Sequence, residues 1–109
     1  MRTFVDTRLY KSGNMPYMID IYIGSDNGSR RINRGYLSRV RKWATNSFPD
    51  GYTLMKAQGC YGQITEESIL INVLSDRDEY MRDKVRALKQ ELRQDAILVV
   101  KAQVDFEFV

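Results

Sequence analysis

The sequence predicts an α+β fold of the ferredoxin-like kind, with an antiparallel sheet and the order strand, helix, strand, strand, helix, strand. Two patterns carry this prediction. Apolar residues alternate with other residues in several short segments, which is typical of strands. They recur every three or four positions after Asn33 and again after Ser75, which is typical of amphipathic helices. The length of 109 residues fits a single domain, residues 1–109.

The first half of the chain predicts one strand and one helix. Ile19, Ile21 and Ile23 share one side of a strand that begins at residue 17, and residues 24–29 are turn formers that predict a loop. Asn33 is a suitable N-cap for a helix over residues 34–47. This helix ends before Pro49, which cannot continue it.

The second half predicts a hairpin, a helix and a final strand. Residues 52–61 and 68–74 form the hairpin strands, with residues 62–67 as their connection. Ser75 and Asp78 resemble a capping box for the helix that buries Met81, Val85, Leu88 and Leu92. Residues 96–109 alternate as one long strand. In the first fifteen residues, 3–11 predict an additional strand with a turn at 12–14.

The composition excludes several kinds of chemistry. The chain has no His and one Cys, so a structural zinc site and any catalysis by an imidazole base are excluded. Walker A, GxGxxG, HExxH and CxxC motifs are also absent. We therefore expect a protein that is not an enzyme and that needs no cofactor. No segment reaches the length of a signal peptide or a membrane span, which predicts a cytoplasmic protein.

Positive charge is concentrated in one part of the chain. The net charge is +3, yet residues 30–42 carry six cations and no acidic residue. Arginine predominates there, and its guanidinium group suits phosphate and carboxylate. An anionic partner is therefore the first hypothesis. The alternatives are a nucleic-acid-binding module or inhibitor that uses Arg30 to Lys42, and a charged helix face that only keeps the protein soluble.

The predicted sheet has more apolar surface than two helices can cover. Met18, Tyr22, Met55 and Tyr61 belong to the face that carries no helix. An exposed apolar sheet face needs a cover. We therefore expect a homo-oligomer that buries this face.

Five short motifs stand out between about residues 17 and 109: IYIGSDN at 21–27, FPDGYT at 48–53, AQGCYG at 57–62, ES at 67–68 and QDAILV at 94–99. Together they resemble phage Thoeris anti-defence family one. The resemblance implies an oligomeric sponge that binds cyclic ADP-ribose isomers, and in some members cyclic oligonucleotides, without cleaving them. It also implies action in the host cytoplasm, where the phage evades bacterial defence.

Residue type and position in the sequence suggest which side chains bind a ligand. Phosphates are held by arginine side chains and bases by aromatic rings or polar edges. The loop before the first helix could hold a phosphate near the helix N-terminus. The expected ligand-binding residues are Arg30, Arg31 and Arg93 for phosphate, Tyr22 and Tyr61 for stacking, and Asn27 and Gln94 for polar edges.

Overall fold

The structure is a computed structural model that describes residues 17–26, 28–75 and 81–109. Within these residues the chain forms four strands and two helices in the predicted order. The elements are β1 (Tyr17–Gly24), α1 (Arg34–Ser47), β2 (Thr53–Tyr61), β3 (Ile64–Ser75), α2 (Met81–Leu92) and β4 (Leu98–Gln103).

The strands form one antiparallel sheet in the order β2-β3-β1-β4. The first strand lies in the middle, so Ile21 pairs with Ile71 of β3 on one side and with Val99 of β4 on the other. This is the strand order of a ferredoxin-like sheet. The predicted α+β fold class is therefore confirmed.

The core lies between the helices and one face of the sheet. In β1 and β3 the fully buried side chains alternate with partly exposed ones, so each strand gives one parity to the core. The two helices contribute the residues of one stripe each. The largest fully buried side chains are Ile19, Ile21, Ile23, Ile69, Ile71, Leu88 and Val40.

The first helix begins and ends where the sequence predicts. The Asn33 side chain accepts a hydrogen bond from the Tyr36 amide at 2.8 Å, which satisfies one of the unpaired amides of the first turn. Three hydrogen bonds join this helix to α2. The Trp43 indole donates to the Lys84 carbonyl, the Lys84 ammonium donates to the Ser47 carbonyl, and the Arg39 guanidinium donates to the Glu91 carbonyl. These contacts fix the two helices side by side on the sheet.

The hairpin differs from its prediction. Strand β3 begins at Ile64, not at residue 68, and the connection is a two-residue turn, Gly62 and Gln63. Gly62 has φ 61, which the first position of a type II′ turn requires. The expected six-residue connection at 62–67 is therefore wrong. The sequence does not identify residues 64–67 as part of a strand, because they are exposed and lack an apolar pattern.

The last strand is shorter than predicted. It ends at Gln103, opposite Tyr17, and residues 104–109 form no regular element. The pairing stops where β1 begins. The residue before β1 is Pro16, which has no amide hydrogen to donate to a ladder.

Some predictions fall outside the described residues. The expected strand at 3–11 and its turn at 12–14 belong to residues 1–16, and the Asp78 half of the expected capping box belongs to residues 76–80. These expectations stay predictions. So does the single domain over residues 1–109.

The sheet face opposite the helices carries exposed apolar side chains, as the sequence indicates. We call it the open face. Tyr22 is 40% exposed on β1, and Leu98 and Val100 on β4 are 59% and 43% exposed. Part of this face packs near the C-terminal residues, because Phe106 and Phe108 line a small cavity with Met18 and Leu74. Among the described residues, no element covers the rest of this face.

Truncating a core residue of β3 tests the assignment of the two faces. Ile71 is fully buried and Ile64, on the same strand, is 42% exposed. We expect Ile71→Ala to lower the free energy of unfolding by about 2 to 5 kcal/mol, through lost burial and a cavity. The matched variant Ile64→Ala should cost about 1 kcal/mol or less. Urea unfolding measures both, and equal losses would contradict the assignment.

Candidate functional site

The hairpin extends beyond the end of β1 and brings two glutamates to that edge. Gly24, the last residue of β1, pairs with Ser68, so among the described strands β2 alone pairs with residues 64–67 of β3. Successive side chains of a strand point to opposite faces. Glu67 therefore lies on the helix side with Ile69, and Glu66 lies on the open face.

Glu67 attaches the loop before α1 to the sheet. Its carboxylate accepts a hydrogen bond from the Ile32 amide at 2.6 Å, and its own amide donates to the Arg30 carbonyl at 3.0 Å. Both bonds hold the loop that precedes the Asn33 cap. Glu67 is therefore a structural residue.

Glu66 has a different environment. It pairs across the hairpin with Gly59, where an added Cβ would lie 3.9 Å from the Glu66 Cγ atom. An added Cβ at Gly24 would lie 3.6 Å from Glu66 Oε1. Two positions without side chains thus flank this glutamate. Among the described residues, its carboxylate has no hydrogen bond or ion pair.

A buried hydrogen-bond network borders Glu66. The Tyr36 hydroxyl donates to the Gly24 carbonyl and accepts a bond of 3.1 Å from Gln94 Nε2. The same Gln94 nitrogen also donates to the Ser25 carbonyl at 2.7 Å. The network ties the end of β1 to α1 and to the end of α2. An added Cβ at Gly24 would lie only 3.1 Å from Gln94 Oε1, so the glycine leaves room for this arrangement.

The end of α2 explains how Gln94 reaches the network. The Gln94 amide donates to the Lys89 carbonyl and the Arg93 amide donates to the Gln90 carbonyl, which is the pattern of a Schellman motif. Arg93 has φ 55, a left-handed conformation that glycine usually supplies at this position. The reversal of the chain at Arg93 directs Gln94 back toward β1.

Ser25 adds an unpaired polar group to the site. It is only 3% exposed, and its hydroxyl has no hydrogen-bond partner in the described part of the chain. Most buried polar side-chain atoms have a partner, and leaving one unpaired costs free energy. A bound group that reached this hydroxyl would remove that cost.

The site is acidic around Tyr36. Burial raises the pKa of the Tyr36 phenol, and the Asp26 carboxylate raises it further, with a smaller contribution from Glu66. Arg39 and the hydrogen bond from Gln94 lower it, but the net direction is upward. Among the described residues, Asp26 is the charge that acts most strongly on the phenol, ahead of Arg39.

We call this group of residues the strand-end cluster. It lies where β1 and α2 end, near the start of α1 and beside residues 64–67, the part of β3 that extends beyond β1. Its members are Tyr22, Gly24, Ser25, Asp26, Tyr36, Gly59, Tyr61, Glu66 and Gln94.

Three of the residues expected to bind a ligand belong to this cluster. Gln94 is part of the hydrogen-bond network. Tyr22 lies on the open face next to Leu70 and Leu98, and Tyr61, which ends β2, is 83% exposed diagonally across the hairpin from Glu66. Both rings have surface available for stacking. Whether these residues bind a ligand stays a prediction.

The arginines expected to bind phosphate lie at the edge of the cluster. Arg30 and Arg31 are exposed in the loop before α1, and the Arg30 backbone has φ 59 and donates to the Asp26 carbonyl. Arg93 is the exposed residue that reverses the chain after α2. Asn27 lies outside the described residues. The role of all four stays a prediction.

The acidic side of the site is not predicted from the sequence. Glu66 and Glu67 belong to the connection expected at 62–67, and no role is predicted for Ser25 or for the Tyr36 hydroxyl. Residues 64–67 carry no apolar alternation, so no sequence signal places the two glutamates on opposite faces.

Among the described residues there is neither a cluster of metal-ligating side chains nor a membrane-spanning helix. Residues 17–26, 28–75 and 81–109 contain no group of three or more His, Cys, Asp or Glu that could hold a metal ion. Cys60 is a free, exposed thiol. Neither helix is long and apolar enough to cross a membrane.

Comparison with known proteins finds a likeness of fold only. No family model matches the chain, and no curated protein matches it. Among solved structures, it is similar to a phage SAM lyase in its apo state, with 20% identity and a TM-score of 0.46. The match covers 91% of this chain and 98% of the lyase chain. Membership of Thoeris anti-defence family one is not confirmed, and the sponge activity that it implies stays a prediction.

The likeness corrects one expectation. We expected a protein that is not an enzyme, because the chain lacks His and the common catalytic motifs. The lyase of similar fold and length is an enzyme. The expectation is therefore wrong as drawn, since carboxylate and tyrosine side chains can also act as general acids and bases.

Tyr36→Phe tests the hydrogen-bond network through its pH dependence. Because folding raises the pKa of Tyr36 above its ordinary value near 10, this group's stability contribution is complete below pH 10 and is lost as pH rises through the folded pKa. We expect Tyr36→Phe to cost about 1 to 2 kcal/mol near pH 8, through the lost hydrogen bonds. Its deficit relative to the unmodified protein should shrink toward about pH 11.

Urea unfolding over this pH range measures the deficit. Tyr61→Phe is the matched control, because Tyr61 is exposed, and its effect should be small at every pH. A Tyr36→Phe deficit that did not change with pH would show that the phenol titrates alike in the folded and unfolded chain.

Proposed function

We propose that the strand-end cluster binds a small organic molecule that combines a positive charge with an aromatic base. One observation carries the proposal: the Glu66 carboxylate lies on the open face without a partner among the described residues, between two glycines that leave space beside it. A carboxylate in such a position is available to a cationic guest.

The charge of the cluster supports a cation. Asp26 and Glu66 both raise the pKa of Tyr36, so their negative potential acts on the same small region. Opposite charges a few ångströms apart at a protein surface interact by about 4 kcal/mol before desolvation is counted. A sulfonium or ammonium group fits this potential better than a phosphate does.

The aromatic residues support a planar base. Tyr22 and Tyr61 expose ring surface on the face that carries Glu66. Stacking of a base on such a ring contributes about 1 to 3 kcal/mol. Gln94 and the unpaired Ser25 hydroxyl are polar groups that could orient the guest.

S-adenosylmethionine is the ligand that we propose to test first. It carries a purine, a sulfonium and an ammonium group, which match the aromatic and acidic parts of the cluster. It is also the compound named for the phage lyase. The likeness to that lyase concerns the fold, so the proposal depends on the charge and the rings of this chain.

The neighbouring glutamates give a matched test. Glu66→Gln should weaken binding of S-adenosylmethionine by about tenfold or more, because the charge is lost without a change of shape. Glu67→Gln should leave binding unchanged, since an amide oxygen can still accept from the Ile32 amide. Isothermal titration at low ionic strength measures both. Equal effects of the two variants, or no binding to the unmodified chain, would refute the proposal.

The fate of the bound molecule is a separate question. After incubation with S-adenosylmethionine, the protein is denatured by heat and the released compounds are separated by chromatography. Loss of the parent compound with the unmodified chain, and its survival with Glu66→Gln, would indicate lyase-like turnover. Complete recovery would indicate capture.

A second candidate is capture of a cyclic nucleotide in phage immune evasion. The exposed Arg30, Arg31 and Arg93 at the border of the cluster favour it, because arginine suits phosphate. The same chromatography with cyclic ADP-ribose and cyclic dinucleotides tests it. The nucleic-acid alternative predicts binding that weakens steeply with salt, as contacts to many phosphates do.

We also propose that two or more copies assemble through the open face. The exposed Leu98 and Val100 support this, because uncovered apolar strands favour association. Light scattering at micromolar concentration should give at least the mass of a dimer. Val100→Glu should give a monomer, whereas Asn46→Glu, on the exposed side of α1, should not. A monomeric unmodified chain would refute the assembly.

A further inference from the structure

A second concave surface lies on the helix side of the sheet, between α2 and β4. It is a groove of about 560 Å³, which is within the usual range of small-molecule sites. It shares no residue with the strand-end cluster. Its walls and floor are Met81, Arg82, Asp83, Val85, Arg86, Lys89, Ile97, Val99 and Lys101.

The walls of the groove are cationic on both sides. Arg82, Arg86 and Lys89 follow one another at spacings of four and three residues, so they form a ridge along α2. Lys101 comes from β4, at the position paired with Ile19. Among the described residues that line the groove, Asp83 is the one acidic residue, and together these residues carry a net charge of +3.

The floor of the groove is apolar. Val85 and Met81 are buried members of the core stripe of α2, and Ile97 and Val99 are half-buried residues that pack against the core. Because β4 is an edge strand, no further described strand covers this side. A ligand could therefore place an apolar body on the floor and its negative groups against the ridge.

We infer that this groove binds a phosphorylated organic molecule, with at least two negative charges and an apolar or planar body. Two arginines one helical turn apart suit phosphate oxygens, which guanidinium groups hold with paired hydrogen bonds.

Titration of the full chain with ADP tests the inference. We expect binding that Arg86→Gln with Lys89→Gln weakens at least tenfold. The matched control is Arg41→Gln with Lys42→Gln, two exposed cations on α1 that are not part of the groove, and it should bind ADP as the unmodified chain does. Circular dichroism should show the same fold in both double variants. Adenosine, which lacks the phosphates, should not bind.

Several results would overturn the inference. Absence of ADP binding would do so, and so would equal weakening in the two double variants, which would indicate general charge attraction. Pyrophosphate that binds as tightly as ADP would show that the apolar floor is not used. A change of ADP affinity in Glu66→Gln would place the ligand at the strand-end cluster. Because that variant is otherwise expected to bind ADP normally, failure of this inference is distinguishable from failure of the proposed function.

Discussion

The register of β3 is the constraint on which the rest of the structure depends. The same alternation that buries Ile69 and Ile71 under the helices puts Glu66 on the open face and Glu67 on the helix side. A slip of one residue would exchange the two glutamates and would also expose the core residues of the strand. The hydrophobic core therefore fixes the position of the acidic site, since stability and site geometry follow from one pairing pattern.

Hydrogen bonds at the ends of the helices and strands hold the other parts of the site in place. Glu67 holds the loop before α1, and the left-handed residue Arg93 turns Gln94 toward the end of β1. The Tyr36 hydroxyl donates to the Gly24 carbonyl and accepts from Gln94, so it joins α1 and the end of α2 to the end of β1. Four segments that are distant in sequence thus meet through a few hydrogen bonds. The Ser25 hydroxyl is the polar group that this network leaves buried and without a partner in the described residues.

Much of the fold can be predicted from the sequence because its signals are local. Asn33 caps a helix whose apolar stripe is clear, and the isoleucines of β1 alternate without interruption. The start of β3 could not be located in this way, since its exposed arm has no apolar side to reveal it. The end of β4 depends on where β1 begins, which is a property of pairing.

The candidate site is less predictable, for a physical reason. Arginines, tyrosines and Gln94 are expected at the site by residue type, and their role in binding stays a prediction. The importance of Glu66, Ser25 and the Tyr36 hydroxyl depends on contacts between segments that are far apart in the chain. Composition favours an anionic ligand, whereas a carboxylate, Asp26, is the charge that acts most strongly on Tyr36 among the described residues.

The most direct test of this account is carbon-13 NMR of the side-chain carboxyl groups of Glu66 and Glu67 during titration with S-adenosylmethionine. Both residues belong to the exposed start of β3. Glu66 is the residue proposed to bind the ligand, whereas Glu67 accepts the structural hydrogen bond from the Ile32 amide. The Glu66 signal should move with ligand concentration while the Glu67 signal stays in place. Movement of Glu67 alone, or of neither signal, would contradict the account.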